Sequence, residues 1–275
     1  FTTTWRTTTP NETVTIPTNS SYTYNYNIRT SDGQFFAGVT GDKSITFTIP
    51  GDYDINIFGS FPSILFNNTG DKEKIIDIKQ WGNIVWRDFS NSFYGCSNLT
   101  GSFTDVADTS LVTSLYRTFL EASSFNGDIS NWNTSSVGDL YNAFNGATSF
   151  NQPLNNCVTS MIGTFRNATS FNQDLNSWDT SNVVDMAFLF NSATSFNGNI
   201  SNWNTSSVTN MQFLLTAATS FNQPLNWDTS SVTLMSDTFR LATSFNQPLN
   251  WNTSSVTNME EMFKNATSFN QRLNW

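Results

Sequence analysis

Apolar residues recur at a fixed period along most of the chain. Val112, Val137, Val158, Val183, Val208, Val232 and Val256 open successive units, most of them 24 or 25 residues apart. Three positions on stands Leu or Met, and seven on stands Phe, with Leu215 in one unit. Ten on is Ala, from Ala122 to Ala266, and thirteen on is Phe, from Phe125 to Phe269. An Ile or Leu follows, and most units close on Trp. Offsets 0, 3, 7 and 10 place Val, Met, Phe and Ala on one face of a helical segment. The stretch from Leu to Trp, as in QPLNW, predicts a short extended segment paired with its equivalent one unit away. Such a period predicts a mainly β or mixed solenoid, whose like side chains stack in rows. A first, atypical coil is expected near residues 80–103. There Trp86, Phe89, Phe93, Cys96, Leu99 and Phe103 take the same offsets in degenerate form.

The pattern changes near the N-terminus. SYTYNYNI, SITFTIP and DYDINIF alternate apolar and polar positions and are separated by the turn signals SDG, TGD and PGD. Period-2 alternation predicts strands, so residues 1–62 are expected to form a small antiparallel β-sandwich domain, with 63–275 forming the repeat array. The Thr-rich start FTTTWRTTTP is expected to add a strand to a neighbour's sheet edge.

Composition narrows the function. The formal net charge is −9, yet only 12% of residues are charged; Asn, Ser and Thr supply the polar surface. An acidic chain without basic clusters is a poor partner for nucleic acid, and none is expected. No apolar run approaches the roughly 18–20 residues that cross a bilayer, so no membrane insertion is expected. The chain opens on Phe1 rather than Met, which suggests a removed leader or a fragment. The Asn/Ser/Thr-rich, Lys-poor surface points to secretion.

No histidine is present, which removes the commonest general base and metal ligand. No recurring carboxylate pair or metal-ligand spacing replaces it. No catalytic residue, cofactor or metal site is assigned, and the chain is read as not an enzyme. The two cysteines, Cys96 and Cys157, stand three units apart. At about 5 Å per unit they exceed the roughly 7 Å that a disulfide spans, so both are expected free. Candidate N-glycosylation acceptors in Asn-x-Ser/Thr sequons are Asn11, Asn19, Asn67, Asn98, Asn133, Asn167, Asn199, Asn204, Asn252 and Asn265. In one slot Asn133, Asp179, Asn204, Asp228 and Asn252 are equivalent. Because Asp carries no N-glycan, the slot itself requires an Asx side chain that caps the start of the helical segment.

The repeat NTSSVTNMxxMFxxATSFNQxLNW closely resembles that of the BspA-like leucine-rich repeat surface proteins, over roughly residues 80–275. TIPGDYDINI is similar to a strand of polycystic-kidney-disease (PKD-like) domains. The resemblance implies a leucine-rich-repeat-like, right-handed coil array and a secreted or surface-displayed protein with adhesive or structural roles. The last unit, ending at Trp275, leaves a stacking face to be covered by further repeats, by a cap or by the next copy of the same chain. The preferred expectation is therefore an extracellular, cell-surface filament subunit. It would stack head to tail as a homopolymer, through the array's end and the N-terminal domain. The alternative is an adhesin binding a host surface protein or glycan through the array's flank.

Overall fold

The computed structural model describes residues 1–154 and 159–275; the expectations for Cys157 and Val158 fall outside them. Strands occupy the N-terminal third. They are β1 Thr2–Thr7, β2 Glu12–Ile16, β3 Asn25–Thr30, β4 Phe35–Val39, β5 Lys43–Phe47, β6 Gly51–Ser60, β7 Ile75–Gln80 and β8 Thr100–Gly101. One six-stranded sheet runs β4-β3-β6-β1-β7-β8, and β2 and β5 form a two-stranded sheet. Alternation explains the strands: Tyr26 and Ile28 of β3, Ile45 and Phe47 of β5, and Ile55 and Ile57 of β6 are all buried.

The large sheet does not stop at residue 62. β7 pairs antiparallel with β1, and β8 pairs parallel with β7. β1 therefore lies between β6 and β7, so the Thr-rich start is used up by its own sheet. The Phe1 amine donates to the Ile57 carbonyl at 2.9 Å, and its ring stacks on Trp81 at 5.7 Å.

The expected mainly β or mixed solenoid, a leucine-rich-repeat-like right-handed coil array, is overturned. Among the described residues there is no helix, all strands lie within residues 2–101, and the two sheets do not form a solenoid. The physical reason lies in the backbone. Each repeat carries two residues with positive φ, four positions apart, such as Phe188 (60°) with Ser192 (60°) and Phe213 (57°) with Ala217 (55°). Left-handed residues interrupt a right-handed helix, so the apolar spacing of three and four is met by consecutive turns.

These turns divide their N–H groups between two kinds of partner. Met186, Phe188, Phe190 and Ser192 donate to the carbonyls of Asn210, Gln212, Leu214 and Thr216 in the next repeat, at 2.7–3.0 Å. Between them, Leu189, Asn191 and Ala193 donate three residues back within their own repeat. Equivalent residues thus lie side by side: Phe150, Phe171 and Phe196 stack at 6.1 and 5.9 Å. Trp178, Trp203 and Trp227 stack at 6.4 and 6.0 Å.

The recurring polar letters hold the same register. The Asn after each repeat's second Phe accepts the N–H of the next such Asn, as Asn172 does from Asn197 (2.8 Å) and Asn197 from Asn222 (2.9 Å). The Gln beside it reaches back, Gln247 Nε2 donating to the Asn222 carbonyl at 3.0 Å. The extended QPLNW segment forms no strand. Instead its Trp donates to the preceding repeat, as Trp227 Nε1 does to the Ile200 carbonyl at 3.0 Å.

The row begins against a cap. Phe66 and Asn68 donate to the carbonyls of Ser92 and Tyr94 at 3.1 and 2.9 Å.

Candidate binding surface

Two surfaces stand out. The first is a cleft of about 1190 Å³ on the outer face of β1, β6 and β7, walled by residues 70–74, 98–100 and the turn after β1. β-alternation that buries Trp5, Ile55 and Ile78 turns Thr4, Arg6, Asp52, Asp54, Asp77 and Lys79 outward into it. The sequence scatters these carboxylates; the sheet gathers them. Each cation is already paired or bonded: Arg6 to Asp52 at 2.7 Å, Lys79 to Asp54 at 2.8 Å, and Lys74 to Glu12 and Asp71 at 3.0 and 2.9 Å. Lys72 donates to Asn68.

Glu12 Oε2 also accepts the N–H groups of Thr8 and Thr9 at 2.6 and 3.0 Å. Those bonds, the Thr8 N–H first and then Lys74, pull its carboxyl down to about 2. Bonding to Arg6 likewise lowers Asp52. A general acid at neutral pH needs the opposite displacement. These two carboxyls act as fastenings of the sheet.

The second surface is a flank of the repeat stack at offsets 4, 5 and 8 from each opening Val. Tyr116 and Tyr141 stack there at 5.2 Å with their planes 12° apart, and Phe188 and Phe213 at 4.7 Å and 5°. The Arg117 guanidinium lies 4.9 Å from the Tyr116 ring and 5.7 Å from that of Tyr141. Arg166 lies 5.1 Å from Phe188. All four rings are half-buried, Arg166 is exposed, and the buried Nε of Arg117 has no partner. In the last two repeats offsets 4 and 5 hold Ser236, Asp237, Glu260 and Glu261, and offset 8 holds Arg240 and Lys264, which pair with Asp237 and Glu261 rather than lying against rings. The aromatic–arginine strip is thus confined to residues 116–213. Reading only what repeats misses it; the signal lay in the positions where the repeats differ.

The sequons are dispersed over the surface. Asn133, Asn204 and Asn252 are exposed, and each accepts the N–H of the Ser two residues on, at 3.2, 3.2 and 3.1 Å. Asp179 and Asp228 do the same at 3.0 Å. The slot is therefore an Asx turn, which caps no helix. Asn199 makes the same bond to Ser201 at 3.0 Å and is half-buried. Asn11, Asn67, Asn167 and Asn265 are exposed at φ 59°, 47°, 57° and 60°, the left-handed region that Asn tolerates. Asn19, Asn98 and Asn167 use the amide nitrogen that a glycan would take, donating to Asp88, the Glu73 carbonyl and Asn145 at 3.3, 2.8 and 3.4 Å.

Cys96 is free and fully buried in the small-residue slot, where desolvation pushes its thiol pKa well up. No group of three or more His, Cys, Asp and Glu among the described residues could hold a metal, and no helix among them is long and apolar enough to cross a membrane.

No curated protein and no solved structure matches the chain. One family does, described as "Mycoplasma protein of unknown function, DUF285", over residues 63–162, 155–226 and 200–275. These matches do not bear on the BspA-like or PKD-like resemblance. They span well over half of the chain, and the protein belongs to the DUF285 family.

Proposed function

We propose that this is an extracellular, non-enzymatic adhesive protein that binds a surface ligand through the flank at residues 116–213. The observation that carries the reading is the strip itself: four half-buried rings with two arginines against them, in columns where the last two repeats carry no ring. A regular scaffold with one irregular, partly apolar stripe has the form of a binding face. The Asn/Ser/Thr surface and abundant sequons support an exterior location. The reading is tested by biolayer interferometry on immobilised matrix proteins and glycans. The intact chain should bind, Tyr141→Ser/Phe213→Ser should abolish binding, and Glu260→Gln/Glu261→Gln on the same columns should not. No binding by the intact chain, or equal binding by the aromatic variant, rejects it.

Self-assembly into a surface filament is a second reading, favoured by the face of repeat 256–275. Met259, Phe263, Phe269 and Leu273 are only half-buried there. This face fits a further repeat of the same kind, whichever chain carries it. A head-to-tail partner could not use the carbonyls of Ser92 and Tyr94, which residues 66 and 68 already occupy. Concentration-dependent growth in sedimentation velocity, lost on Phe263→Glu, would support this reading; a monomer at all concentrations would reject it.

A further inference from the structure

Resting on the adhesive reading of the same flank, we propose that its ligand is a polysaccharide bearing one carboxylate on every second sugar. Three features select this chemistry.

The exposed parts of the strip are electropositive. Tyr116 on Tyr141 and Phe188 on Phe213 stack nearly parallel, so their faces are turned to one another and their edges outward. Ring edges carry the positive end of the aromatic quadrupole, and the two guanidiniums held against these rings add full charges. The complement is an anion.

The flank offers a peptide little purchase. The N–H groups of Leu115, Arg117, Phe119 and Glu121 are bonded to the carbonyls of Asp139, Tyr141, Ala143 and Asn145, so these groups offer no free edge for an added strand. The amides of Asn142, Asn145 and Asn191 and the hydroxyl of Thr216, on the same columns, suit sugar hydroxyls.

Charge density sets the last condition. Arg117 and Arg166 stand two repeats apart, about 10 Å along the stack at the spacing of hydrogen-bonded chains. Glu121, Asp139 and the net charge of −9 repel a dense polyanion. A chain with an acid group on alternate sugars places a carboxylate near each arginine and neutral hydroxyls between them.

Hyaluronate is the probe, with heparin, dextran and poly-L-glutamate beside it, in binding titrations of the full chain. Hyaluronate should bind most tightly. Arg166→Gln should weaken it about tenfold, as loss of one charge-assisted bond does, with an unchanged melting curve. Arg117→Lys should retain more binding than Arg117→Gln, which guards against a folding effect at that half-buried site. Equal or tighter binding of poly-L-glutamate overturns the saccharide assignment, and tighter binding of heparin overturns the spacing argument. Should hyaluronate fail while other ligands still depend on Tyr141 and Phe213, this inference falls and the adhesive flank stands.

Discussion

Replacing one phenylalanine in mid-column and its equivalent in repeat 256–275 separates what a repeat contributes alone from what its neighbours add. Phe171 is fully buried, with Phe150 at 6.1 Å on one side, Phe196 at 5.9 Å on the other and Phe165 at 3.9 Å within its own repeat. Phe269 has the same local chain and the same internal partner, Phe263 at 4.1 Å, but only one neighbouring ring, Phe245 at 5.9 Å, and it is half-buried. Phe→Ala in a closed core costs about 3–5 kcal/mol, and each aromatic pair contributes about 0.5–1.5 kcal/mol beyond its area. Phe171→Ala should therefore cost about 4 kcal/mol and Phe269→Ala about 2 kcal/mol. Guanidinium unfolding followed by tryptophan fluorescence measures both. The m-values need checking, because a stack coupled only to nearest neighbours can fray from one end. Equal losses, or a loss at Phe171 below about 1 kcal/mol, would refute the packed column.

Three further outcomes follow from single sites. The Glu12 carboxyl is lowered from its ordinary 4.5 to about 2, so its bonds contribute fully above about pH 4.5 and are lost as pH falls toward 2. Glu12→Gln should lower the melting temperature at pH 7 and match the parent near pH 2. Ala217 sits at φ 55°, where a Cβ costs about 1 kcal/mol, so Ala217→Gly should raise stability by about that amount in chemical denaturation. Asn172 Oδ1 accepts the Asn197 N–H at 2.8 Å. Asn172→Ala should cost about 1 kcal/mol, and Asn172→Asp, which keeps the acceptor, should cost less in the same assay.

The repeat and its buried rows were legible because they recur: every Ala and Phe at offsets 10 and 13 from Ala122 to Phe245 is fully buried. The helix expected from the same spacing failed because successive turns also bring every third or fourth side chain to one side. Its breaking points were masked. Gly146, Gly163, Asn142 and Asn167 advertise a left-handed backbone, but Arg117, Phe188, Phe213 and Leu241 occupy the same slots with no such signature. β7 is masked in the sequence by the charged residues that crowd KEKIIDIKQ; they sit on the outer side of a strand whose Ile75 and Ile78 are buried. The charged cleft needed strands that lie distant in sequence to be brought together. The flank needed only a comparison of the columns in which the repeats disagree.

Amide hydrogen exchange, residue by residue, tests the account most directly, because alternate N–H groups joining neighbouring repeats are what line the rings into a flank. The N–H groups of Met186, Phe188, Phe190 and Ser192, each bonded to the next repeat, should exchange slowly. Those of Met259, Glu261, Phe263 and Asn265 hold the same positions in repeat 256–275 and should exchange near the free rate in the 275-residue chain. Equal protection of both sets would contradict the alternating ladder and the binding face built on it.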